Sequence, residues 1–196
     1  GSFDTQRVLA RIGDTKENIG YMVEFLNYGS DGFKDLPNGN NTGFDINELT
    51  AKFKVNTDAD AKLQQSLEAK FHYYDERSYE TYLGLTENDF ITNPYSRYAA
   101  SQDDRMIAEQ IQLMLTHTLE FSKNMRLTSN GYYNRFSRNW YKLQSVNGTG
   151  ISSILADTTT YASEFDYLQG GDSPDDAIVK LNNNRNYYSQ GIQADV

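Results

Sequence analysis

The sequence predicts an all-β protein, an antiparallel up-and-down transmembrane β-barrel. Three observations predict it: the composition, the alternation of apolar and polar residues, and the lengths of the connections. In 196 residues, 15 Tyr and 10 Phe occur although only 38% of residues are hydrophobic. Such a mixture suits a barrel with an apolar outside, a polar inside and interfacial aromatic residues, because it would make a poor dry core.

The composition also excludes several classes of protein. The chain carries 18 basic and 27 acidic residues, for a net charge of −9. Binding a polyanion requires a dense basic surface, so no nucleic-acid partner is expected. No apolar run reaches the roughly 18 residues of a membrane-spanning helix, and the opening residues do not predict a signal peptide. Without Cys, neither disulfides nor thiolate metal sites are expected.

Alternation marks the strands in chain order, because successive side chains of a strand point to opposite faces. The apolar sets of the first four segments are Val8, Ala10 and Ile12; Ile19, Tyr21, Val23 and Phe25; Leu49, Ala51, Phe53 and Val55; and Leu63, Leu67, Ala69, Phe71 and Tyr73. The charged residues between them are Arg7, Arg11, Glu24, Lys52, Lys54, Glu68 and Lys70. We expect the apolar sets to face lipid and the charged residues to face the barrel interior. The last segment alternates from Tyr188 to Val196.

Two segments are less regular. In residues 104–121, Ile107, Ile111 and Leu115 have the i, i+4 spacing of a helix, yet the residues from Ile111 onward also alternate with polar ones. We prefer a strand here. Residues 125–141 are rich in β-forming residues, but their faces cannot be assigned from the pattern.

The connections alternate strictly between short and long. The short ones span about 13–18, 56–61 and 122–124, and the long ones about 29–43, 75–103 and 142–184. In a meander, this places every long loop at the same end. Short periplasmic turns and long extracellular loops are typical of outer-membrane barrels. About seven strands are expected.

The long loops contain segments that resemble the ferric dicitrate-type TonB-dependent receptors. These segments are spread over nearly the whole chain. They are Ser30–Leu36 with Asn41–Asp45, Glu80–Thr86 with Asp89-Phe90 and Asn93-Pro94-Tyr95, Phe136–Leu143, and Arg185–Ile192.

The resemblance implies a porin-like barrel of 22 strands, about a third of which this chain supplies. Residues 1–196 would be part of the barrel domain of a Gram-negative outer-membrane receptor, without its plug domain. The receptor would bind a ferric siderophore or ferric dicitrate outside the cell, and the TonB–ExbB–ExbD energy system would drive import through the missing plug. Unpaired strand edges are costly in lipid, so we expect the chain to belong to a larger receptor.

Six loop residues are candidates for ligand binding. Ferric chelates are anionic, and the planar guanidinium group can meet carboxylates with two hydrogen bonds. The candidates are Arg77, Arg97, Arg105, Arg138, Tyr82 and Tyr95. Alternatively, the arginines pair with nearby acids or with lipopolysaccharide, and the tyrosines pack within the loops or at the outer-membrane lipid interface.

Nothing in the sequence predicts an enzyme, since no nucleophile, zinc-protease or phosphate-binding motif occurs. His72 and His117 have no suitably spaced partners for a metal site, so both are expected to be structural. No bound cofactor is expected, and iron would arrive only as a chelate. The late acidic residues lack the spacing of a calcium loop. The alternative to a receptor is a soluble β-rich module that binds carbohydrate or another ligand.

Overall fold

The computed structural model describes residues 1–79 and 81–196, and its strands form a single antiparallel sheet. Strands β1 to β6 each pair with the next strand in the chain, and β8 pairs with the edge of β6 that faces away from β5. The short β7 forms a hairpin with the end of β6. The strands are β1 Gln6–Lys16, β2 Ile19–Ser30, β3 Phe44–Asn56, β4 Gln64–Ser78, β5 Arg105–Ser122, β6 Met125–Val146, β7 Thr149–Gly150 and β8 Ile178–Asp195.

The register gives the sheet two chemically different faces. One row of paired residues consists of Val23, Ala51, Phe71, Leu113 and Tyr133. The next row, on the other side, consists of Glu24, Thr50, His72, Gln112 and Asn134. We call the side of the first row the apolar face and the side of the second the polar face. The predicted alternation is therefore confirmed.

The register also settles the two irregular segments. Residues 105–122 form a strand, as preferred, since their backbone pairs with both β4 and β6. His72 lies on the polar face, and His117 shares the apolar face with Leu115, both as expected. The long pairing of β6 assigns the faces of residues 125–141, which the pattern alone left open.

All long connections lie at one end of the sheet, as predicted. The turns at the other end span 17–18, 57–63 and 123–124, whereas the long connections span 31–43, 79–104 and 147–177. The last connection is shorter than expected because β8 begins at Ile178. Residues 180–184, mostly Asn, pair through their backbone with β6, although Asn has low β-propensity.

The long connections contain three short helices, α1 Glu87–Thr92, α2 Ile151–Ala156 and α3 Ala162–Gln169. Helices α2 and α3 pack into a small apolar cluster, which we call the loop core. Its buried members are Leu83, Tyr98, Ala100, Leu143, Val146, Ile154 and Leu168. The Tyr98 ring meets the Phe165 ring edge-on, with centroids 5.4 Å apart.

The sheet itself carries no comparable core in the part of the chain that the structure describes. All eleven residues of β1 are exposed, and Ile12 is 66% exposed. Among the described strands, β1 and β8 each have a partner on one side only, so the sheet is open. The predicted all-β class is confirmed. No helix in residues 1–79 and 81–196 is long and apolar enough to cross a membrane.

Candidate functional site

The candidate site lies where β6 reaches the long connections. Arg138, Trp140 and Lys142 alternate along this strand and therefore share the polar face. The Lys142 Nζ atom lies 4.3 Å from the Trp140 ring centroid, and the Arg138 Cζ atom lies 5.9 Å from it. The Tyr82 ring meets the Trp140 ring edge-on, with centroids 4.5 Å apart. We call these four residues the rim cluster.

A cavity of about 390 Å³ opens beside the rim cluster. Tyr82 and Lys142 line one part of it, and Ile151 and Leu155 of helix α2 line another. Tyr82 is 61% exposed, so its ring is accessible to a ligand. The cavity therefore combines a cation with aromatic and apolar walls.

Asp104 also lines this cavity and is only 3% exposed. Its Oδ1 atom accepts a hydrogen bond of 2.8 Å from the Leu143 amide, which ties the start of β5 to β6. Burial raises the pKa of Asp104 to about 6, although the Leu143 amide, Lys180 and Lys142 act in the opposite direction. At neutral pH, Asp104 is therefore the negative charge that faces Lys142 in the cavity.

A second arginine adds positive charge next to the rim cluster. Arg185 of β8 is the register partner of Arg138 on β6. The Arg185 Nε atom donates to the Asn183 side chain at 2.8 Å, whereas the Arg138 Nε atom is buried with no hydrogen-bond partner among the described residues. Two arginines and a lysine beside the exposed Tyr82 ring and the half-buried Trp140 ring can bind an anion that also offers apolar surface.

The structure brings together two of the six predicted ligand-binding residues, Arg138 and Tyr82. Arg77 and Arg105 lie on the apolar face instead. Arg77 pairs in register with Asp45 on β3, and the Arg105 guanidinium stacks 5.1 Å from the Tyr141 ring centroid.

Arg97 and Tyr95 lie in the second long connection. The Arg97 Nη1 atom donates to the Pro94 and Ser96 carbonyls at 3.0 and 2.5 Å, and burial lowers the pKa of Arg97. Tyr95 is 51% exposed, with its ring centroid 6.4 Å from that of Phe33. Ligand contact by these two residues and by Arg77 and Arg105 stays a prediction.

Sequence reasoning missed Lys142 and Arg185. The signal for Lys142 was available, since Arg138, Trp140 and Lys142 are two residues apart and must share a face if the segment is a strand. Arg185 carries no such signal, because its position opposite Arg138 depends on a register that runs across the third long connection.

Each histidine ring forms a hydrogen bond with a polar side chain of a neighbouring strand. The His72 Nδ1 atom lies 2.9 Å from the Thr50 hydroxyl, and the His117 Nε2 atom lies 3.1 Å from the Gln65 side-chain oxygen. Within residues 1–79 and 81–196, no three His, Asp or Glu side chains are grouped so that they could hold a metal ion.

No family model, curated protein or solved structure matches this chain. The likeness to ferric dicitrate-type receptors therefore rests on the loop segments named above and stays a prediction. One of those segments begins at Glu80, which lies outside the described residues.

Proposed function

We propose that the chain forms part of the wall of an outer-membrane β-barrel receptor that takes up a ferric siderophore, of the ferric dicitrate type. The apolar face would contact lipid, the polar face would line the interior, and the long connections would lie outside the cell. Uptake would depend on the TonB–ExbB–ExbD system acting through the plug domain of the complete receptor.

One observation carries the proposal: the apolar face is uncovered. Phe53 and Leu113 are each 49% exposed, and Phe25 is 44% exposed, although they belong to one continuous apolar stripe. In water, such a stripe would be an association or aggregation surface, whereas in a bilayer it is the expected exterior.

The stripe ends at one level on four adjacent strands, β2 to β5, and one row earlier on β6, where Arg135 is level with Ile111. Directly above it, on the same face, the register aligns a row of polar residues, Asn27, Asn47, Asp75, Glu109 and Ser137. The Asn27 side chain donates to that of Asn47 at 2.9 Å, so part of the row is connected by hydrogen bonds. This change from apolar to polar residues at one level of β2 to β5 fits a membrane–water boundary.

The open edges fit a larger barrel. Strands β1 and β8 both start at the end of the sheet where the long connections lie, so the two strands run in the same direction. Pairing them directly would create a parallel contact, whereas outer-membrane barrels are antiparallel. Closing the barrel therefore needs an odd number of further strands, in keeping with the 22 strands that the resemblance implies.

The rim cluster is the proposed contact for the chelate. It lies on the polar face, next to the long connections, where a ligand arriving from outside would meet it first. Its cations complement an anionic ferric complex, and Trp140 and Tyr82 offer apolar contact to the chelator. Ferric iron is cargo in this proposal and is not a resident cofactor.

Neighbouring residues on opposite faces provide a test of the membrane assignment. The chain has no Cys, so Val23→Cys and Met22→Cys each introduce a single labelling site. With a fluorophore attached and the chain refolded in lipid vesicles, we expect spin-labelled lipid to quench position 23 and aqueous iodide to quench position 22. A monodisperse protein in water, with no lipid quenching at position 23, would refute the membrane assignment and favour the soluble module.

A second test addresses the ligand. Trp140 is the only tryptophan, so its fluorescence reports directly on the rim cluster. We expect ferric citrate to quench it saturably, and Arg138→Gln with Lys142→Gln to weaken binding by at least about 100-fold, because the two charged hydrogen bonds contribute about 1.5 to 3 kcal/mol each. Arg126→Gln, near the short turn at the start of the same strand, is the matched control, because Arg126 pairs with Glu120 far from the rim cluster. Equal affinity in both variants would contradict the rim cluster as the chelate site.

A further inference from the structure

Three lysines form a second basic cluster on the polar face, in the middle of the sheet. Lys52 on β3 is the register partner of Lys70 on β4, and Lys54 lies two residues further along β3. Lys52 and Lys54 are exposed, and Lys70 is half-buried. We call these residues the lysine triad.

The triad is remote from the rim cluster. Across β5, Glu76 of β4 is level with Arg138 of β6. Glu76 lies six positions from Lys70, so the two clusters are about 20 Å apart along the strand direction. Strands β4 and β6 are also two inter-strand steps apart, or about 10 Å. One small ligand cannot contact both clusters.

Little in the described part of the chain neutralises the triad. The ion pairs there are Arg11–Glu24, Arg126–Glu120 and Lys180–Asp103, and none involves a triad lysine. Glu68 is level with Lys54 in the register but forms no ion pair with it among the described residues. The Lys70 Nζ atom donates only a long hydrogen bond of 3.4 Å, to Gln112.

The pairing of Lys52 with Lys70 is electrostatically unfavourable. Like charges directly opposite each other on neighbouring strands destabilise a sheet. The residues that flank Lys52 and Lys70 in the same row are Met22 and Met114, which offer no counter-charge. The cluster is also locally positive in a chain whose net charge is −9.

The spacing of the triad points to a small ligand with several carboxylates. Cross-strand partners have Cβ atoms about 5 Å apart, and same-face neighbours along a strand are about 7 Å apart. Three flexible ammonium groups at these distances can reach two or three carboxylates of one molecule. We propose that the lysine triad is a binding site for a small polycarboxylate anion. This proposal does not depend on the proposed receptor function, because it uses only the polar face of the sheet.

Lysine acetylation measured by mass spectrometry tests the proposal on the refolded chain, with citrate as the probe. A carboxylate that binds an ammonium group stabilises its charged, unreactive form, so we expect saturable and about fivefold slower acetylation at Lys52 and Lys70. Lys62 and Lys123, in the short turns, serve as internal controls. The variant Lys70→Gln should remove the protection of Lys52, whereas Lys123→Gln should leave it unchanged.

Citrate-independent acetylation of Lys52 and Lys70 would overturn the proposal, as would equal protection of Lys62 and Lys123. Slow acetylation before any anion is added would also overturn it, because an acidic polypeptide segment would then already cover the triad. Protection of Lys142 is scored separately, since it reports on the rim cluster. Failure of the proposed chelate site is thereby distinguished from failure of the triad site.

Discussion

Replacing Asp104 by Asn should remove most of the pH dependence of the stability of the loop core. Asp104 is buried, and its carboxylate accepts the Leu143 amide. Asn keeps an oxygen that can accept this hydrogen bond but carries no charge that burial could penalise. The substitution therefore isolates the cost of ionising a buried carboxyl group.

The magnitude follows from the pKa of Asp104, which burial raises from the ordinary 3.8 to about 6. The folded state then binds the proton more tightly than the unfolded state does, so stability is highest at low pH and falls as the pH rises. A difference of about 2 pKa units corresponds to about 3 kcal/mol, most of which is lost between about pH 4 and pH 7. At pH 7, Asp104→Asn should therefore be more stable than the unmodified chain.

The assay is urea unfolding of the refolded chain at several pH values, followed through the fluorescence of Trp140, whose ring contacts Tyr82 at the cavity that Asp104 lines. Asp103→Asn is the matched control, because Asp103 is adjacent, exposed and paired with Lys180. The pH dependence should persist in the control and disappear in Asp104→Asn. An identical pH dependence in both variants would refute the argument.

Two further substitutions test the packing at the long connections. Ile154→Ala removes a side chain that is 0% exposed and should destabilise the loop core by about 3 kcal/mol, with faster amide exchange there and unchanged exchange in the middle of the sheet. Uniformly faster exchange would show that loop core and sheet unfold together. Gly43→Ala places a Cβ atom 1.7 Å from the Ser30 carbonyl oxygen and should lower the urea midpoint, at a cost of about 1 to 3 kcal/mol. Gly84→Ala, whose Cβ would meet no atom within 4 Å, should leave the midpoint nearly unchanged.

Most of the sheet could be predicted from the sequence because its physical signal is local. Alternation with a period of two identified the strands, and it distinguished strand from helix in residues 105–122. It failed at residues 180–184, where a run of Asn is held by the backbone of β6 and no side-chain pattern marks the strand. The helices α2 and α3 were also missed, because they are short and packing against the loop core stabilises them.

The site was less predictable because it depends on register. Arg77 and Arg138 look equivalent in the sequence, as basic residues at the ends of strands. The structure places them on opposite faces. Arg77 is level with Ile107 and Arg138 is level with Ala108, and these consecutive residues of β5 point to opposite sides of the sheet. The contact between Tyr82 and Trp140 joins residues that are far apart in the chain, and no local pattern encodes it.

The loop core also distinguishes the native alignment of β5 and β6 from a shifted one. A slip of β5 against β6 by two residues would return every side chain to its own face, so the apolar stripe alone cannot detect it. The same slip would move Leu143 and Val146 by about 7 Å relative to the second long connection. Leu83 and Tyr98 would then lose their buried partners, and Asp104 would lose the Leu143 amide. Only the correct alignment therefore allows the loop core to close.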